Sequence, residues 1–394
     1  MEKRLRRRRG GDDDDDDDAD AVESWAELVL SYLSPRDLAA AAATCTALRR
    51  AAAVVAACRA ADATGGREPR PVPFLNPVDS QPYAFFIYFS SSSSSSSNPF
   101  PDASGCDCDD CAIECPCRRP DLGFQSEIMT ECGAGCACGV ECGNRATQRG
   151  VSVRLKIIKG PKKGWGLHAD QLLRRGEFVC EYVGEYLTTK EARKRQKLYD
   201  ELASVGKLSP ALLVIREHLP SGKACLRVNI DATRIGNVAR FINHSCDGGN
   251  LLSILVRNTG SLLPRLCFFA KRDIVEGEEL TFSYGTASVR SNGLPCFCGS
   301  SCCLGLLKPA RFWLSSSSSS SCNGFASSRT LEEGSLSTIS NAEIGNRLGF
   351  IKLLDIEELL DCTLLIACAR HDMHRAENWG LAWCWRARMV ETQP

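Results

Sequence analysis

Beyond residue 150 the chain alternates short apolar runs with turns rich in glycine and charge. The runs span 151–158, 178–186, 211–215, 224–231, 251–256, 265–270 and 279–284. Their Val, Ile, Leu, Phe and Cys content predicts strands. One helix is predicted among them, from Thr188 to about Ala203, where Thr188 or Thr189 can cap and Glu191 follows. Many short strands with few helices make this a mainly β domain with some α.

The pattern before it differs. Residues 21–60 carry helical spacing, with Trp25, Leu28, Leu30 and Leu33 leading into Ser34-Pro35-Arg36-Asp37-Leu38. Ser34 suits an N-cap and Pro35 the first helical position, and the helix is predicted to run on through alanines to Arg50. Residues 64–77 are Gly/Pro-rich. The aromatic run 83–89 has β propensity but is too short to stand alone, so it must pair with a strand from elsewhere. The serine run at 90–97 has nothing to pack and reads as a linker. A second serine run, 315–321, opens a stretch without motifs. There 351–369 has the spacing of an amphipathic helix, and Trp379, Trp383 and Trp385 cluster.

Charge changes the picture only locally. The formal net charge of the 394 residues is zero, but 3–9 is basic and 12–18 is an unbroken aspartate run. Such blocks are solvated tails, and the basic one has the composition of a nuclear localisation signal as well as of an ordinary charged tail. No apolar run reaches the ~18 residues of a membrane span, and no secretory h-region is visible. An intracellular protein with no membrane partner is expected. Thiols stay reduced there, so clustered members of the 23 cysteines point to metal rather than disulfides.

Three motifs carry candidate chemistry. Arg240-Phe-Ile-Asn243-His244-Ser-Cys246 packs an amide, an imidazole, a hydroxyl and a thiol into consecutive positions after an apolar residue. Gly164-Trp165-Gly166 stands upstream and Phe282-Ser-Tyr284 downstream. Each alone reads as a turn or a strand. In this order, between two cysteine clusters, they resemble the signature of SET-domain protein-lysine methyltransferases, over residues 106–305. The segment Leu219-Pro-Ser-Gly222 is similar to the suppressor-of-variegation-related class, plant SUVR type. Residues 21–62 are similar to a short F-box, the helical module that docks on a ubiquitin-ligase adaptor.

The resemblance implies a SET fold of small curled sheets with a knot-like active site. It is flanked by a pre-SET zinc module and a post-SET zinc segment. The pre-SET cluster is Cys106, Cys108, Cys111, Cys115, Cys117, Cys132, Cys136, Cys138 and Cys142, with Asn144-Arg145 just after it. These nine sulfurs fill the ligand positions of three zinc ions if three of them bridge. A disulfide knot would need an oxidising compartment and would leave one cysteine over. Asp109-Asp110 fills a gap shorter than in many relatives, which leaves the bridging pattern open. Cys296, Cys298 and Cys303 leave a fourth zinc one ligand short, and Cys246 completes it, with Cys302 a competitor for Cys303. Cys180, Cys225 and Cys267 lie in strand runs and read as core.

S-adenosylmethionine is the implied methyl donor. The resemblance assigns Gly164, Trp165, Gly166, Arg240, Asn243 and His244 to its binding, with Lys163 and Leu167 flanking. It assigns Tyr182 and Tyr284 to the transfer centre and Phe282 to the substrate channel, where Phe rather than Tyr leaves room for two or three methyls. Relatives add a cofactor-contacting tyrosine in the segment that here reads 211–217 and has none. The expectation is a nuclear, chromatin-associated enzyme acting on the histone H3 tail or nucleosome, with lysine nine favoured. Its rivals are a non-catalytic chromatin-binding SET module and an F-box-type ubiquitin-ligase adaptor. The expected division is a charged tail at 1–20, the F-box-like segment at 21–62 and a linker with the aromatic strand at 63–105. Pre-SET follows at 106–150, SET at 151–286, post-SET at 292–308, and a tail without assigned role at 309–394.

Overall fold

A computed structural model describes residues 26, 29–109 except 91–104, 111, 115–117, 128–204, 209–218, 225–261, 263–284, 295–303, 305–306 and 311–314. The charged tail, Trp25, Leu28, the serine runs except Ser90, the 219–222 segment and the features beyond 315 lie outside the described residues. Among the described residues, no helix is long and apolar enough to cross a membrane.

From Ser34 on, the single helix expected to run to Arg50 resolves into two. α1 spans Pro35–Ala42 and α2 spans Thr46–Ala61. Ser34 caps α1 as expected, its Oγ accepting the amide of Asp37 at 3.3 Å. The predicted continuous helix breaks at residues 43–45 because Cys45 takes extended backbone and caps α2, its sulfur accepting the amide of Leu48. Alanine favours helix but cannot outbid a capping thiol and the burial gained when the chain turns. Arg59 then fastens the pair. Its guanidinium donates to the carbonyls of Ser31 and Leu33 at 2.7 and 2.8 Å, and it lies over the rings of Tyr83 and Phe85.

The segment expected as a linker supplies core. β1 (Phe74–Leu75) and β2 (Ile87–Tyr88) come from it, and Val72, Phe74, Tyr83 and Tyr88 are buried in the main hydrophobic cluster. The aromatic run does find its partner elsewhere, pairing parallel to Ile235–Gly236. Glu68 ties the same segment down: its carboxylate accepts from the Tyr88 hydroxyl at 2.9 Å and the Val151 amide at 2.7 Å.

The remaining strands are β3 (Ile128–Glu131), β4 (Leu155–Gly160), β5 (Gly164–Ala169), β6 (Phe178–Glu181) and β7 (Gly184–Leu187). After helix α3 (Thr189–Ser204) come β8 (Leu212–His218), β9 (Cys225–Gly236), β10 (Asn243–His244), β11 (Leu251–Asn258), β12 (Arg265–Ala270), β13 (Thr281–Phe282) and β14 (Arg311–Leu314). They form small sheets in the orders β1-β4-β5, β3-β11-β12-β6, β14-β8-β9-β2 and β10-β13. The run at 178–186 is two strands: β6 pairs with β12 and β7 with β9, so the chain changes sheet at Tyr182-Val183. Asn237 holds that corner, donating to the Glu181 carbonyl at 2.8 Å. Cys180 and Cys267 are fully buried, as expected of core thiols; the side chain of Cys225 lies outside the described residues.

α3 seals the sheet through ions rather than grease. Asp231, fully buried on β9, accepts from Arg195 at 2.8 Å and from the Tyr199 hydroxyl at 2.7 Å. Burial alone would raise its pKa, but the bonds from Thr233, Arg195 and Tyr199 hold it below the usual carboxylate value.

Arg265 does the same between the cysteine-rich segment and the sheet. Its guanidinium pairs with Glu131 of β3 and Glu181 of β6, both at 3.0 Å, and donates to Thr147 Oγ1 at 2.7 Å. All three charged side chains are buried. A buried charge stripped of its partner is costly, about 3–5 kcal/mol. Arg265→Met should therefore lower unfolding stability by about that amount in denaturant melts, because Glu131 and Glu181 are left unpaired. A loss below about 1 kcal/mol would mean the network is dispensable.

Candidate active site

The three sequence motifs meet at one point. β10 pairs parallel with β13, Asn243 opposite Thr281 and His244 opposite Phe282. Parallel neighbours need a long connection, and here β11 and β12 form it. Asn250 closes the crossing: its amide donates to the Glu279 carbonyl and its oxygen accepts the Thr281 amide, both at 2.9 Å.

The Gly-Trp-Gly stretch is β5, antiparallel to β4 after a turn in which Gly164 has φ +73°. A side chain at Gly166 would stand 2.9 Å from Glu279 Oε1 and 3.0 Å from Asn243 Nδ2. The reason is that Asn243 Nδ2 donates to Glu279 at 2.8 Å directly above it, while Lys163 pairs with the other Glu279 oxygen at 2.6 Å. Trp165 meets Phe74 edge-on at 5.1 Å, with Lys159 over its ring. Glu279 was not singled out in the sequence. It stands in a run of acidic residues with no spacing signal, and only the tertiary contact marks it.

Two hydroxyls are brought together from opposite sides. Tyr182 donates to the Ala211 carbonyl at 2.7 Å and Tyr284 to the Ile242 carbonyl at 2.8 Å. Burial raises both tyrosine pKa values, Tyr182 further through Tyr284 and Tyr284 further through Glu279. Both therefore keep their protons well above the ordinary tyrosine range. With each proton committed to a carbonyl, the oxygen lone pairs remain available to an N–H. Between them run aromatic rings: Phe268 to Phe282 at 4.8 Å, and Phe282 to Tyr284 at 4.9 Å. Phe282 is 2% exposed.

Arg240 lies beside this centre, not in it. It donates to the carbonyls of Ala232 and Thr233 and is stacked by Phe86 and Phe241. Burial pushes its pKa down to about 10, against the pull of Tyr182 and Asp231. The segment that lacks the expected tyrosine is β8 with Ala211 before it, and its backbone carbonyl at Ala211 is what holds Tyr182.

His244 joins the site to the second cysteine cluster. Its Nδ1 accepts the Tyr284 amide at 3.1 Å, and an amide only donates. The ring proton is then on Nε2, which faces Cys246 Sγ at 3.2 Å. The sulfurs of Cys246, Cys296, Cys298 and Cys303 lie within 4.8 Å of one another, and Cys302 is exposed outside this group.

In the first cluster the nine sulfurs form overlapping quartets. Cys106, Cys111 and Cys132 make a triangle with edges of 3.5, 3.5 and 3.9 Å, and Cys117 lies 3.6 Å from Cys136. A zinc tetrahedron with ~2.3 Å Zn–S bonds has S···S edges of ~3.8 Å. A disulfide would be ~2.05 Å, and none forms among the described residues. The donor set and its spacing fit zinc. Asn144 and Arg145 both donate to cluster sulfurs, Cys132 and Cys138, as groups beside thiolates do.

A knotted strand pair fed by a Gly-Trp-Gly hairpin, with cysteine clusters on either side, defines a SET domain, and the SET-domain family profile matches residues 164–285. The chain is 50% identical over 326 residues to histone-lysine N-methyltransferase SUVR3 of Arabidopsis thaliana, covering 73% of this chain and 92% of that protein. It belongs to the SET-domain histone-lysine N-methyltransferases, S-adenosylmethionine-dependent enzymes. The likeness covers more of the chain than the stretch 106–305 on which the motifs lie. It is also 36% identical over 203 residues to histone-lysine N-methyltransferase SETMAR of Mus musculus, covering 48% of this chain and 63% of that one. Among solved structures, Arabidopsis thaliana SUVH6 in complex with SAM matches at TM-score 0.50 and 28% identity, over 62% of this chain and 55% of that one.

Proposed function

We propose that this protein methylates a lysine of the histone H3 tail, with lysine nine as target, at chromatin in the nucleus. The observation that carries the reading is the pair of tyrosine hydroxyls, Tyr182 and Tyr284, each anchored to a backbone carbonyl beside a wall of buried aromatic rings. Membership of a histone-lysine methyltransferase family supplies the substrate class, and the motif resemblance supplies the lysine.

The bound donor supplies an electrophilic methyl on a sulfonium. The residues of this chain do the rest. Gly164, Trp165, Gly166, Asn243 and His244 form its cradle, where a side chain at Gly166 would collide with the Asn243–Glu279 pair that shapes it. Arg240 shapes the same pocket from behind through the Ala232 and Thr233 carbonyls. A lysine amine attacks only when neutral, and its free pKa is ~10.4. Aromatic surroundings disfavour the ammonium by desolvation. The oxygens of Tyr182 and Tyr284 accept the N–H groups that remain and aim the lone pair, so that rate comes from positioning. Phe282 lacks the hydroxyl that would crowd a methylated amine, which supports two or three transfers. The tail enters as an added strand. β14 already covers the outer edge of β8 beside Tyr182, so a peptide docking there adds beside it or displaces it.

The cysteine geometry supports three zincs in the first cluster, bridged by the Cys106, Cys111 and Cys132 triangle. The terminal pairs are then Cys108 with Cys115, Cys138 with Cys142, and Cys117 with Cys136. A fourth zinc belongs to Cys246, Cys296, Cys298 and Cys303. No observation favours the ubiquitin-ligase adaptor reading, and the buried face of α2 is already spent inside the molecule.

Metal analysis should return four zincs per chain. Cys303→Ser should lose one, Cys302→Ser none, and the bridging Cys111→Ser at least two. Equal losses for Cys111→Ser and the terminal Cys108→Ser would remove the triangle from the assignment.

Tyr284→Phe keeps the ring and removes one positioned hydroxyl, a change that costs about 10²–10³ in turnover in comparable sites. Phe282→Tyr should preserve the first transfer and suppress later ones. Single-turnover mass spectrometry on an H3-tail peptide reads both. Because both tyrosine pKa values are raised, the parent's rate should climb with pH as the substrate amine deprotonates. It should show no descending limb below about pH 10, the ordinary tyrosine value. Unchanged turnover for Tyr284→Phe would take this residue out of the chemistry.

A further inference from the structure

The Asn243 side chain has two unlike ends. Its Nδ2 donates to Glu279 Oε1 at 2.8 Å and, over a longer path, to the Trp165 carbonyl at 3.4 Å. Its Oδ1 has no hydrogen-bond partner among the described residues. That oxygen is not sealed in the interior either, since the buried side-chain atoms left without a partner are nitrogens of Arg145, Arg257 and Arg265. Asn243 thus leaves an acceptor open at the cradle. The two ends of an amide have nearly the same shape, so something must decide which one faces outward.

The chemistry of Glu279 decides it. A carboxylate only accepts, so the NH2 end of Asn243 is the end that can face it. Lys163 holds the second carboxylate oxygen at 2.6 Å, which keeps the group from swinging away. The main chain is pinned as well: Asn250 donates to the Glu279 carbonyl at 2.9 Å, and the Leu280 amide donates to the Leu167 carbonyl at 2.7 Å. A charge-assisted bond is about twice as strong as a neutral one, and the contact to Trp165 is long, so the Glu279 bond dominates. The Lys163 and Glu279 side chains are 27% and 23% exposed, a setting in which an ion pair adds little stability by itself. Orienting Asn243 gives the pair another role.

We propose that Glu279 is a positioning residue for donor binding, with Lys163 as its anchor. The pair fixes the Asn243 amide so that its oxygen meets an N–H or cationic group of S-adenosylmethionine, which carries both an ammonium and a sulfonium. Glu279 acts through Asn243 and need not touch the donor. This role rests on the cradle assigned to the donor.

Glutamine at 279 separates charge from shape. It offers one acceptor and one donor end in place of two acceptors. Lys163 is charged and takes the acceptor, which leaves the NH2 end facing Asn243. Asn243 must then turn its own oxygen inward and present NH2 to the donor. Removing Lys163 frees the glutamine oxygen for Asn243 and restores the orientation.

The test is calorimetric titration of S-adenosylmethionine into the full chain, with melting curves alongside. E279Q should bind about tenfold more weakly than the parent, the scale of one hydrogen bond, at a similar melting temperature. K163M/E279Q should bind about fivefold tighter than E279Q although it carries one more substitution, a coupling of the size that neighbouring residues show. A merely structural ion pair predicts a double variant no better than the single one, and that result overturns the proposal. Parent-like binding by E279Q overturns it too. If E279Q does not fold, K163M/E279Q is compared with K163M/E279M, which keeps the bulk but offers no acceptor. The glutamine protein should then bind about tenfold tighter, and equal affinities overturn the proposal. Asn243→Ala separates the two readings. If it weakens binding while E279Q does not, the cradle stands and the role of Glu279 falls; if it binds like the parent, both fall.

Discussion

Two strands of two residues each hold this molecule's chemistry in place. β10 and β13 come from positions some forty residues apart, and their parallel pairing is possible only because β11 and β12 carry the chain out and back. Few ladder bonds support so short a pair, so side chains must. Asn250 bonds across the crossing, Asn243 reaches Glu279, and the Tyr284 amide donates to His244. Tyr284 in turn fixes the Ile242 carbonyl at the start of β10. The residues proposed to bind the donor and those that hold the knot are thus the same residues. The density of polar groups at 243–246 is a consequence of this: a buried crossing of backbone must satisfy its own hydrogen bonds.

The modules around the knot are joined by buried charge and by thiols beside the shared apolar core. The first cysteine cluster forms its own small buried group, with Cys108 as the partly buried member. Its link to the main sheet is β3, which pairs with β11 and delivers Glu131 to Arg265. At the other end Cys246 belongs both to the Asn-His-Ser-Cys stretch and to the second sulfur group, so metal there would stiffen the strand that bears Asn243 and His244. Ion pairs and metal are directional where apolar contact is not, so they fix the orientation of modules that the shared apolar core holds together.

Much of this was legible in the sequence. β12 was read to the residue, α3 to within one, and the sulfurs that come together at 246, 296, 298 and 303 were those the family resemblance implied. What could not be read has physical reasons. Phe74–Leu75 lies in a Gly/Pro-rich stretch and becomes a strand only because β4 offers it an edge. The run 178–186 looks continuous in hydropathy, but Asn237, from a distant segment, captures its middle and turns it between sheets. Glu279, Arg265 and Glu68 are ordinary charged residues until their partners arrive. The break between α1 and α2 depends on a cysteine acting as a cap, a role its composition does not advertise.

The central claim is that the β10–β13 crossing creates the donor cradle, with Asn243 over Gly166 as its keystone. Calorimetric titration of S-adenosylmethionine into parent and Asn243→Ala protein tests it most directly, with the melting curve of each measured alongside. The account predicts a folded variant that binds the donor about ten- to a hundredfold more weakly, the scale of one or two buried hydrogen bonds. A folded variant with the parent's affinity would contradict it.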